Sequence, residues 1–331
     1  MVQVEIQKPP LPILWLDTSI ILKIAMWKAG LKLNPTDRER IPRLFEECLK
    51  VAEANKIIFP IGDQQEEIWK GEEICHAIAA QLSLGVKFRH HISIQDSQIN
   101  TFMQAYIKRQ TTVSLDHQDA FLLAPIDAIS RSQFQTPFYS ILPSRVQTIN
   151  DIKKSREQIR CELEKIKSKA RGIAYEEQLL KEYQGKTEAF SIITETSLKN
   201  QMLGLPLSIA QYEGLKNFYR FVTLWDGYGG NPAGSEGLME FLNSEYYRSI
   251  PQVSIQCKLG ALLLTDSSKL EDGDSMDIVH ISSVLPYCAA ILVDRKMKNR
   301  CHNLKLAETY RTRIFSLNEF DEVMKFLRSP S

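Results

Sequence analysis

The sequence predicts a mixed α/β protein whose central parallel sheet is built from both ends of the chain. Near the N-terminus, short apolar runs at residues 13–16 and 56–60 flank a segment with helical periodicity. Near the C-terminus, an apolar run at residues 289–293 and a further predicted strand at residues 313–317 also alternate with helical patterns. Because the long segment between these two ends reads as mostly helical, we predict an α/β domain interrupted by a helical insertion.

The N-terminal elements follow from their apolar spacing. Residues 13–16 form a continuous apolar run that ends in Asp17, which is typical of a strand buried on both faces and followed by a helix. Residues 40–55 predict a helix and residues 56–60 a second strand. Residues 64–82 predict another helix, which Gly71 weakens, and residues 87–94 read as a short strand or an irregular crossing.

The remaining elements give the domain boundaries. We expect an α/β domain at residues 11–95 and 250–328 and a helical insertion at residues 96–249. The charged segment at residues 149–184 has only a narrow apolar stripe, which favours solvated helices and leaves open a partner or dimer seam. The other predicted elements are helices at 97–108, 118–129, 210–225, 275–285 and 317–327, a loop at 226–235, and a helix or strand at 253–264.

Composition excludes several classes of protein. The chain has 331 residues with 41 Lys and Arg against 40 Asp and Glu, so no global field favours a polyanion or a membrane surface. Its six cysteines include no C-x-x-C pair, which favours reduced thiols over a zinc knuckle or a disulfide scaffold. No apolar stretch reaches the roughly 20 residues that span a bilayer, and the N-terminus lacks a signal pattern. We therefore expect a cytoplasmic protein with no membrane partner.

Two acidic residues follow predicted strands. Asp17 ends the run at 13–16, and Asp294 ends the run at 289–293. In a parallel sheet both carboxylates would emerge at the carboxyl edge, where open α/β sheets place their ligands. The alternative interpretation of Asp17 is an N-cap of the following helix.

Two further acids accompany this pair. Glu67 lies shortly after the second predicted strand, with Glu66 as a competing choice, and Asp277 opens the helix before the Asp294 strand. Acids near helix N-termini are also favoured by the macrodipole, and Asp274-x-x-Asp277 also fits a variant of a capping box. These structural interpretations stay open for both positions.

Together these positions resemble the PIN-domain nucleases. The apolar run ending in Asp17-Thr18, the E-h-x-x-G pattern from Glu67 to Gly71, and Asp277 and Asp294 separated by 17 residues carry the resemblance. More narrowly, the segment from 277 to 294 is similar to bacterial PIN-like proteins. The resemblance implies a three-layer α/β/α fold with a central parallel sheet. The chain departs from it in the 210 residues between Glu67 and Asp277 and in Ala289, where the subgroup has an acidic residue.

A cluster of four carboxylates favours a metal-binding site. Clustered anions repel one another, so such a group is tolerated where hard divalent cations neutralise it, and oxygen ligands favour Mg²⁺ or Mn²⁺. Two such ions activate water and stabilise the leaving oxygen when a phosphodiester is hydrolysed. The resemblance implies that the metals are held by Asp17, Glu67, Asp277 and Asp294 and that the products carry 5′-phosphate and 3′-hydroxyl ends.

Other side chains are expected to support this site. A basic segment after Asp294 predicts a phosphate-binding rim, although a solvated helix face explains it equally well. Of the histidines, His280 shares a helix face with Asp277, whereas the pair His90-His91 shows no carboxylate at metal-ligand spacing and reads as structural. The expected supporting residues are Ser19, Glu66, Asp274 and His280, and the expected substrate-binding residues are Arg295, Lys296, Lys298 and Arg300.

The leading interpretation is a Mg²⁺- or Mn²⁺-dependent endoribonuclease, with RNA preferred over DNA because of the family resemblance alone. The alternatives are a catalytically inactive PIN-like binding or assembly module and a structure-selective DNA nuclease. A homodimer is the expected oligomeric state. A role as a toxin or in phage defence is implied only by the known roles of many bacterial PIN proteins. The sequence identifies no antitoxin or other protein partner.

Overall fold

A computed structural model describes residues 2–63, 73–122 and 149–330 and shows a mixed α/β chain in which helices predominate. The chain divides into two compact units. The α/β unit takes its described residues from Ile6–Ile94, Asp116–Lys165 and Lys269–Ser331, and the helical unit takes Met1–Glu5, Gln95–Leu115 and Ile166–Ser268.

The α/β unit contains a three-stranded parallel sheet. Its strands are β2 (Leu14–Leu16), β4 (Ala290–Leu292) and β5 (Arg313–Phe315), in the order β2-β4-β5. Both ends of the chain therefore supply one sheet, as the sequence predicts. Every residue of β2 and β4 is buried, which explains their continuous apolar runs. Ala289 lies at the amino end of β4, where its N–H bonds the carbonyl of Ile13.

Two more segments extend the parallel alignment. Ile13 pairs in parallel with Ile58, and Ile61 pairs in parallel with Lys87. Each is a single bridge, so the strands predicted at 56–60 and 87–94 are shorter than expected. Pro60 has no N–H to donate to a ladder, and a helix already begins at His91.

The order of segments across this alignment reverses once. From one side of the sheet to the other, the parallel segments lie in the order residue 87, residues 58–61, β2, β4 and β5. These are the third, second, first, fourth and fifth segments in chain order. The reversal lies between β2 and β4, which makes that point the topological switch of the sheet.

Helices cover the sheet and close the core of the α/β unit. An apolar cluster joins β2 and β4 to the helices α1 (Thr18–Lys28), α2 (Pro35–Glu53) and α3 (Glu73–Ser83) and to the C-terminal helix α14 (Phe320–Arg328). The remaining described helices of this unit are α11 (Asp274–Val284), α12 (Arg295–Asn303) and α13 (Leu306–Tyr310). Helices α4 (His91–Ile107) and α5 (Ile149–Lys169) carry residues of both units.

The helical unit is organised around α6 (Tyr175–Met202). This helix packs against α7 (Ile209–Gly227) and α10 (Pro251–Thr265). The charged segment predicted at 149–184 is thus two helices, α5 and α6, of which the second continues to Met202. The unit also contains α8 (Gly234–Leu242), α9 (Glu245–Ser249) and a small sheet of β1 (Gln3–Gln7) and β3 (Thr112–Asp116), which the sequence did not predict.

Three expectations about boundaries need correction. We placed residues 250–268 in the α/β domain, but α10 packs mainly against α6 and belongs to the helical unit. We placed residues 96–249 in the insertion, but the described residues of Asp116–Lys165 belong to the α/β unit. The helix predicted from residue 118 is only a short 3₁₀ turn at His117–Ala120, because Phe121 then pairs in antiparallel fashion with Phe88. The rest of that predicted helix and the segment 64–72 lie outside the described residues. Among the described helices, none combines the length and apolar character that a bilayer span requires.

Candidate functional site

A polar residue follows each segment of the parallel alignment at its carboxyl end. Because parallel strands end at the same edge, these side chains form one row along the sheet. Asp17 and Asp294 occupy the middle of the row, one on each side of the topological switch. In spatial order the row contains His90 and His91, then Asp63, Asp17, Asp294 and Ser316.

Asp17 and Asp294 follow neighbouring strands and are one residue apart in register, because Leu16 pairs with Leu292 and Asp17 is therefore level with Val293. The N–H of Asp17 donates to the carbonyl oxygen of Leu292 at 3.0 Å, which continues the pairing of β2 with β4. Each carboxylate caps the next helix. One oxygen of Asp17 accepts from the N–H of Ser19 at 3.1 Å, and one oxygen of Asp294 accepts from the N–H of Lys296 at 2.6 Å. A carboxylate has about four lone-pair sites, so an N-cap role does not prevent either group from binding a cation.

The electrostatics of Asp17 reflect its burial. Its side chain is only 6% exposed, and this burial raises the pKa of the carboxyl above its ordinary value. The Ser19 hydroxyl donates to Asp17 Oδ2 at 2.6 Å and opposes the rise, whereas the charge of Asp294 adds to it. The two carboxylates are therefore close enough to repel each other, and Ser19 contacts Asp17 as the sequence interpretation expects.

The other predicted metal ligands are less closely grouped. Asp277 lies in the first turn of α11, half-buried, and Glu66 and Glu67 lie outside the described residues. Within the described ranges, Asp17, Asp277 and Asp294 do not form a group of three whose ligand atoms all lie within 4.8 Å of one another. In the described part of the chain, Asp17 and Asp294 are therefore close together, whereas Asp277 does not join them in a group whose ligand atoms all lie within 4.8 Å of one another.

Asp274 and two of the predicted substrate-binding residues form a buried ion-pair network. Arg300 Nη1 lies 2.7 Å from Asp274 Oδ1, and both side chains are buried. Lys296 Nζ lies 3.1 Å from the other oxygen of Asp274 and also bonds the carbonyl of Lys269. Burial alone would raise the pKa of Asp274, but the hydrogen bonds from Arg300, the N–H of Glu271 and Lys296, together with the charge of Arg300, outweigh it and hold that pKa below its ordinary value. Arg300 thus joins α12 to α11 through a buried side chain.

The other two expected phosphate-binding residues, Lys298 and Arg295, differ in whether their charge is paired with an acid or exposed to solvent. Lys298 Nζ lies 2.6 Å from a Glu319 carboxylate oxygen, so its charge is largely balanced within the chain. Arg295, the first residue of α12 after Asp294, is exposed. Of the four side chains expected to bind phosphate, Lys296, Lys298 and Arg300 are thus engaged by acidic groups, whereas Arg295 is exposed.

His280 is the most unusual polar side chain at this edge. It is 2% exposed, and among the described residues neither ring nitrogen has a hydrogen-bond partner. Burial lowers the pKa of the imidazole to about 4, although the charges of Asp63 and Asp17 oppose the shift. His280 is therefore neutral near pH 7 and lies close to two acids of the edge row.

The sequence interpretation of His90 and His91 was wrong about their neighbours. Asp63, 28 residues before His91, accepts hydrogen bonds from both the N–H and the ring Nδ1 of His91. The three side chains place one ligand atom each within 4.8 Å of the others. The rule that paired Asp17 with Asp294 would have found this group, since Asp63 and His90 also follow neighbouring segments of the parallel alignment.

No protein-family model, curated protein or solved structure matches this chain. The function of the edge row is consequently argued from its own geometry and chemistry.

Proposed function

We propose that the α/β unit is a PIN-like domain that hydrolyses phosphodiester bonds with divalent metal ions, with RNA as the preferred substrate. The observation that carries the proposal is the placement of Asp17 and Asp294 at the carboxyl ends of adjacent parallel strands. These strands flank the topological switch, where open α/β sheets bind their ligands. Asp277 and Glu67 are proposed as the further metal ligands.

The donor set fits a hard cation. Asp17 is buried, interacts with the like charge of Asp294 and has a raised pKa, so the pair of carboxylates is costly to keep ionised without a counterion. Oxygen donors of this kind favour Mg²⁺ or Mn²⁺ over softer metals. When bound, such an ion would polarise the phosphoryl group and lower the pKa of a bound water molecule.

The chain's own groups would hold and orient the substrate. Asp17 caps α1 and Asp294 caps α12, so the N-termini of both helices point to the same edge of the sheet. Helix N-termini attract anions through their free N–H groups and their dipoles. The exposed guanidinium of Arg295 adds a positive charge beside Asp294 and would contact a phosphate of the nucleic acid. Ser19 fixes the orientation of the Asp17 carboxylate through its hydroxyl.

The PIN-like fold is supported by the arrangement of the sheet. Five chain segments align in parallel in the order third, second, first, fourth and fifth, and helices α1, α2, α3 and α14 pack with β2 and β4 in one core. A three-layer α/β/α arrangement is proposed on this basis. RNA is preferred over DNA because of the family resemblance of the sequence.

Cleavage assays on the full chain test the proposal. Labelled single-stranded RNA, duplex RNA and DNA flaps are incubated with Mn²⁺ or Mg²⁺, and Mn²⁺ binding is measured by calorimetry. We expect metal-dependent RNA cleavage that falls at least a hundredfold in Asp17→Asn and Asp294→Asn and is unchanged in Asp321→Asn, which replaces an exposed acid in the first turn of α14.

Three results would contradict the assignment. Cleavage that survives both edge substitutions would mean that another site or a contaminant is responsible. Absence of both Mn²⁺ binding and cleavage would favour an inactive binding module. Cleavage of DNA flaps with RNA left intact would identify a structure-selective DNA nuclease.

A further inference from the structure

A group of two imidazoles and one carboxylate occupies the other end of the edge row. We propose that Asp63, His90 and His91 bind a transition-metal ion of the zinc class, with the buried imidazole of His280 as the donor that completes the site. This inference does not depend on nuclease activity, because it concerns different side chains and a different class of metal.

The geometry of the three side chains suits a single ion. One ligand atom from each of Asp63, His90 and His91 lies within 4.8 Å of the other two, which is a separation that one central ion can bridge. The rings of His90 and His91 are 4.2 Å apart between centroids. A metal ion binds neighbouring imidazoles through their neutral ring nitrogens, so two rings held this close can share one ion.

A helix cap explains only part of this arrangement. Asp63 accepts the N–H of His91 at 2.7 Å, which is the bond expected of a side chain capping the start of α4. Capping requires neither the second histidine nor the ring contact of His91 Nδ1 with the same carboxylate oxygen at 2.5 Å. Helix capping therefore does not explain why two imidazole rings and a carboxylate are grouped here.

His280 provides the independent observation. The residue is only 2% exposed, and within the part of the chain that the structure describes both of its ring nitrogens lack hydrogen-bond partners. A buried polar group without a partner costs about 1–3 kcal/mol, so such a group calls for an explanation in terms of function or a bound species. The imidazole comes from α11, an element far away in sequence, and interacts electrostatically with both Asp63 and His91. Its nitrogens lie outside the group whose ligand atoms are all within 4.8 Å of one another, so His280 would have to approach the ion to become a ligand. A metal ion bound beside it would satisfy one ring nitrogen.

The donor types select the metal. Imidazole nitrogen suits Zn²⁺ and its neighbours in the transition series, and Zn²⁺ accepts two histidines and one carboxylate with a fourth position for another ligand. Mg²⁺ prefers oxygen donors and would be a poor competitor here. The pair of Asp17 and Asp294 has the opposite preference, so one edge of the sheet would carry two sites that distinguish hard from borderline metals.

Zinc titration of the full chain in competition with a colorimetric chelator tests the site. We expect one Zn²⁺ per chain, unaffected by millimolar Mg²⁺. His90→Ala and Asp63→Asn should each weaken binding at least tenfold. His90 is exposed, and asparagine is itself a good N-cap, so both variants should fold. The matched control is His302→Ala, which removes an exposed histidine at the end of α12 and should bind zinc as the unmodified chain does.

Several outcomes would overturn the proposal. A chain that binds no zinc, or variants of His90 and Asp63 that bind it as tightly as His302→Ala does, would show that the cluster is only structural. Nitrogen-15 spectra of the histidine rings test the fourth donor, since one ring nitrogen of His280 should shift when zinc is added. Unchanged His280 signals in a zinc-loaded chain would remove His280 from the site. Asp17→Asn should abolish the proposed nuclease and leave zinc affinity unchanged, so the two proposals fail separately.

Discussion

The backbone N–H of Asp17 donates to the carbonyl oxygen of Leu292 at 3.0 Å and thereby fixes where β2 ends relative to β4. Since Leu16 is paired with Leu292, Asp17 and Asp294 leave the sheet at one edge within two residues of each other in register. A slip by one residue would move side chains to the opposite face of the strand. The closeness of the two carboxylates is thus a property of the backbone pairing.

The first prediction concerns the coupling between these carboxylates. Asp294→Asn removes a like charge beside Asp17, so the pKa of Asp17, now raised by burial and by Asp294, should fall. Carbon-13 titration of the Asp17 carboxyl group measures the change directly. Asp321→Asn, which alters an exposed acid on α14, should leave the titration curve of Asp17 in place. An unchanged curve in Asp294→Asn would mean that the two groups are not electrostatically coupled.

The second prediction concerns the ion pair between α11 and α12. Asp274→Asn leaves the buried guanidinium of Arg300 without its charged partner, and removing one member of a buried pair costs about 3–5 kcal/mol of unfolding free energy. Urea unfolding of the full chain at pH 7 measures the loss. Lys298→Met breaks the more exposed contact with Glu319 and should cost at most about 1 kcal/mol. Equal losses in both variants would contradict the buried role of Asp274.

The same pair predicts a pH dependence of stability. The folded pKa of Asp274 lies below its ordinary value of 3.8, so the unfolded chain takes up a proton before the folded chain does. The stabilisation is therefore present above about pH 4 and is lost as the pH falls through the lower folded pKa. The difference in unfolding free energy between the unmodified chain and Asp274→Asn should shrink below pH 4. A difference that grows on acidification would reverse the assigned direction of the shift.

Much of the α/β architecture could be predicted from the sequence because the parallel strands are buried on both faces. The runs that became β2 and β4 are continuous apolar segments, and each ends in an aspartate that caps the next helix. The strands, the edge where they end and the helix caps can therefore each be recognised from a few consecutive residues of the sequence. The helical unit was harder to delimit, since α10 is buried around most of its circumference and its sequence pattern does not reveal which partner buries it.

Local sequence patterns did not predict which side chains meet in the candidate site. The cluster of Asp63 with His90 and His91 depends on two chain segments that pair through a single bridge, between Ile61 and Lys87. Arg300 looked like a surface cation because its helix is strongly basic, but its position on α12 directs it into Asp274. In both cases the deciding partner lies more than 20 residues away in sequence.

The third prediction compares two helical glycines in the helical unit. A Cβ at Gly237 would clash with the carbonyl oxygen of Pro232 and would lie 2.7 Å from the Trp225 ring nitrogen. Gly237→Ala must therefore displace backbone as well as the indole, and we expect a loss of about 1–3 kcal/mol. Gly185→Ala, in α6, meets nothing within 4 Å and should stabilise the chain by about 0.5–1 kcal/mol. Thermal unfolding measures both, and shifts of the same sign would contradict this packing.

The fourth prediction concerns the buried histidine in the absence of metal. The pKa of His280 is lowered to about 4 by burial, whereas an unfolded histidine titrates near 6.5, so the unfolded chain binds the proton first. His280 therefore makes stability fall as the pH drops from about 6.5 toward 4, by up to roughly 3 kcal/mol. In EDTA, His280→Leu should remove this slope, so its unfolding free energy relative to the unmodified chain should rise steadily on acidification.

Urea unfolding at several pH values between 7 and 4 checks this prediction. His302→Leu, at an exposed position on α12, should leave the slope unchanged, which separates burial from the mere loss of a histidine. Leucine in the same buried space also removes two ring nitrogens without partners, so the variant should be no less stable than the unmodified chain at pH 5. A variant that keeps the full acid slope would mean that the imidazole is already solvated in the folded chain.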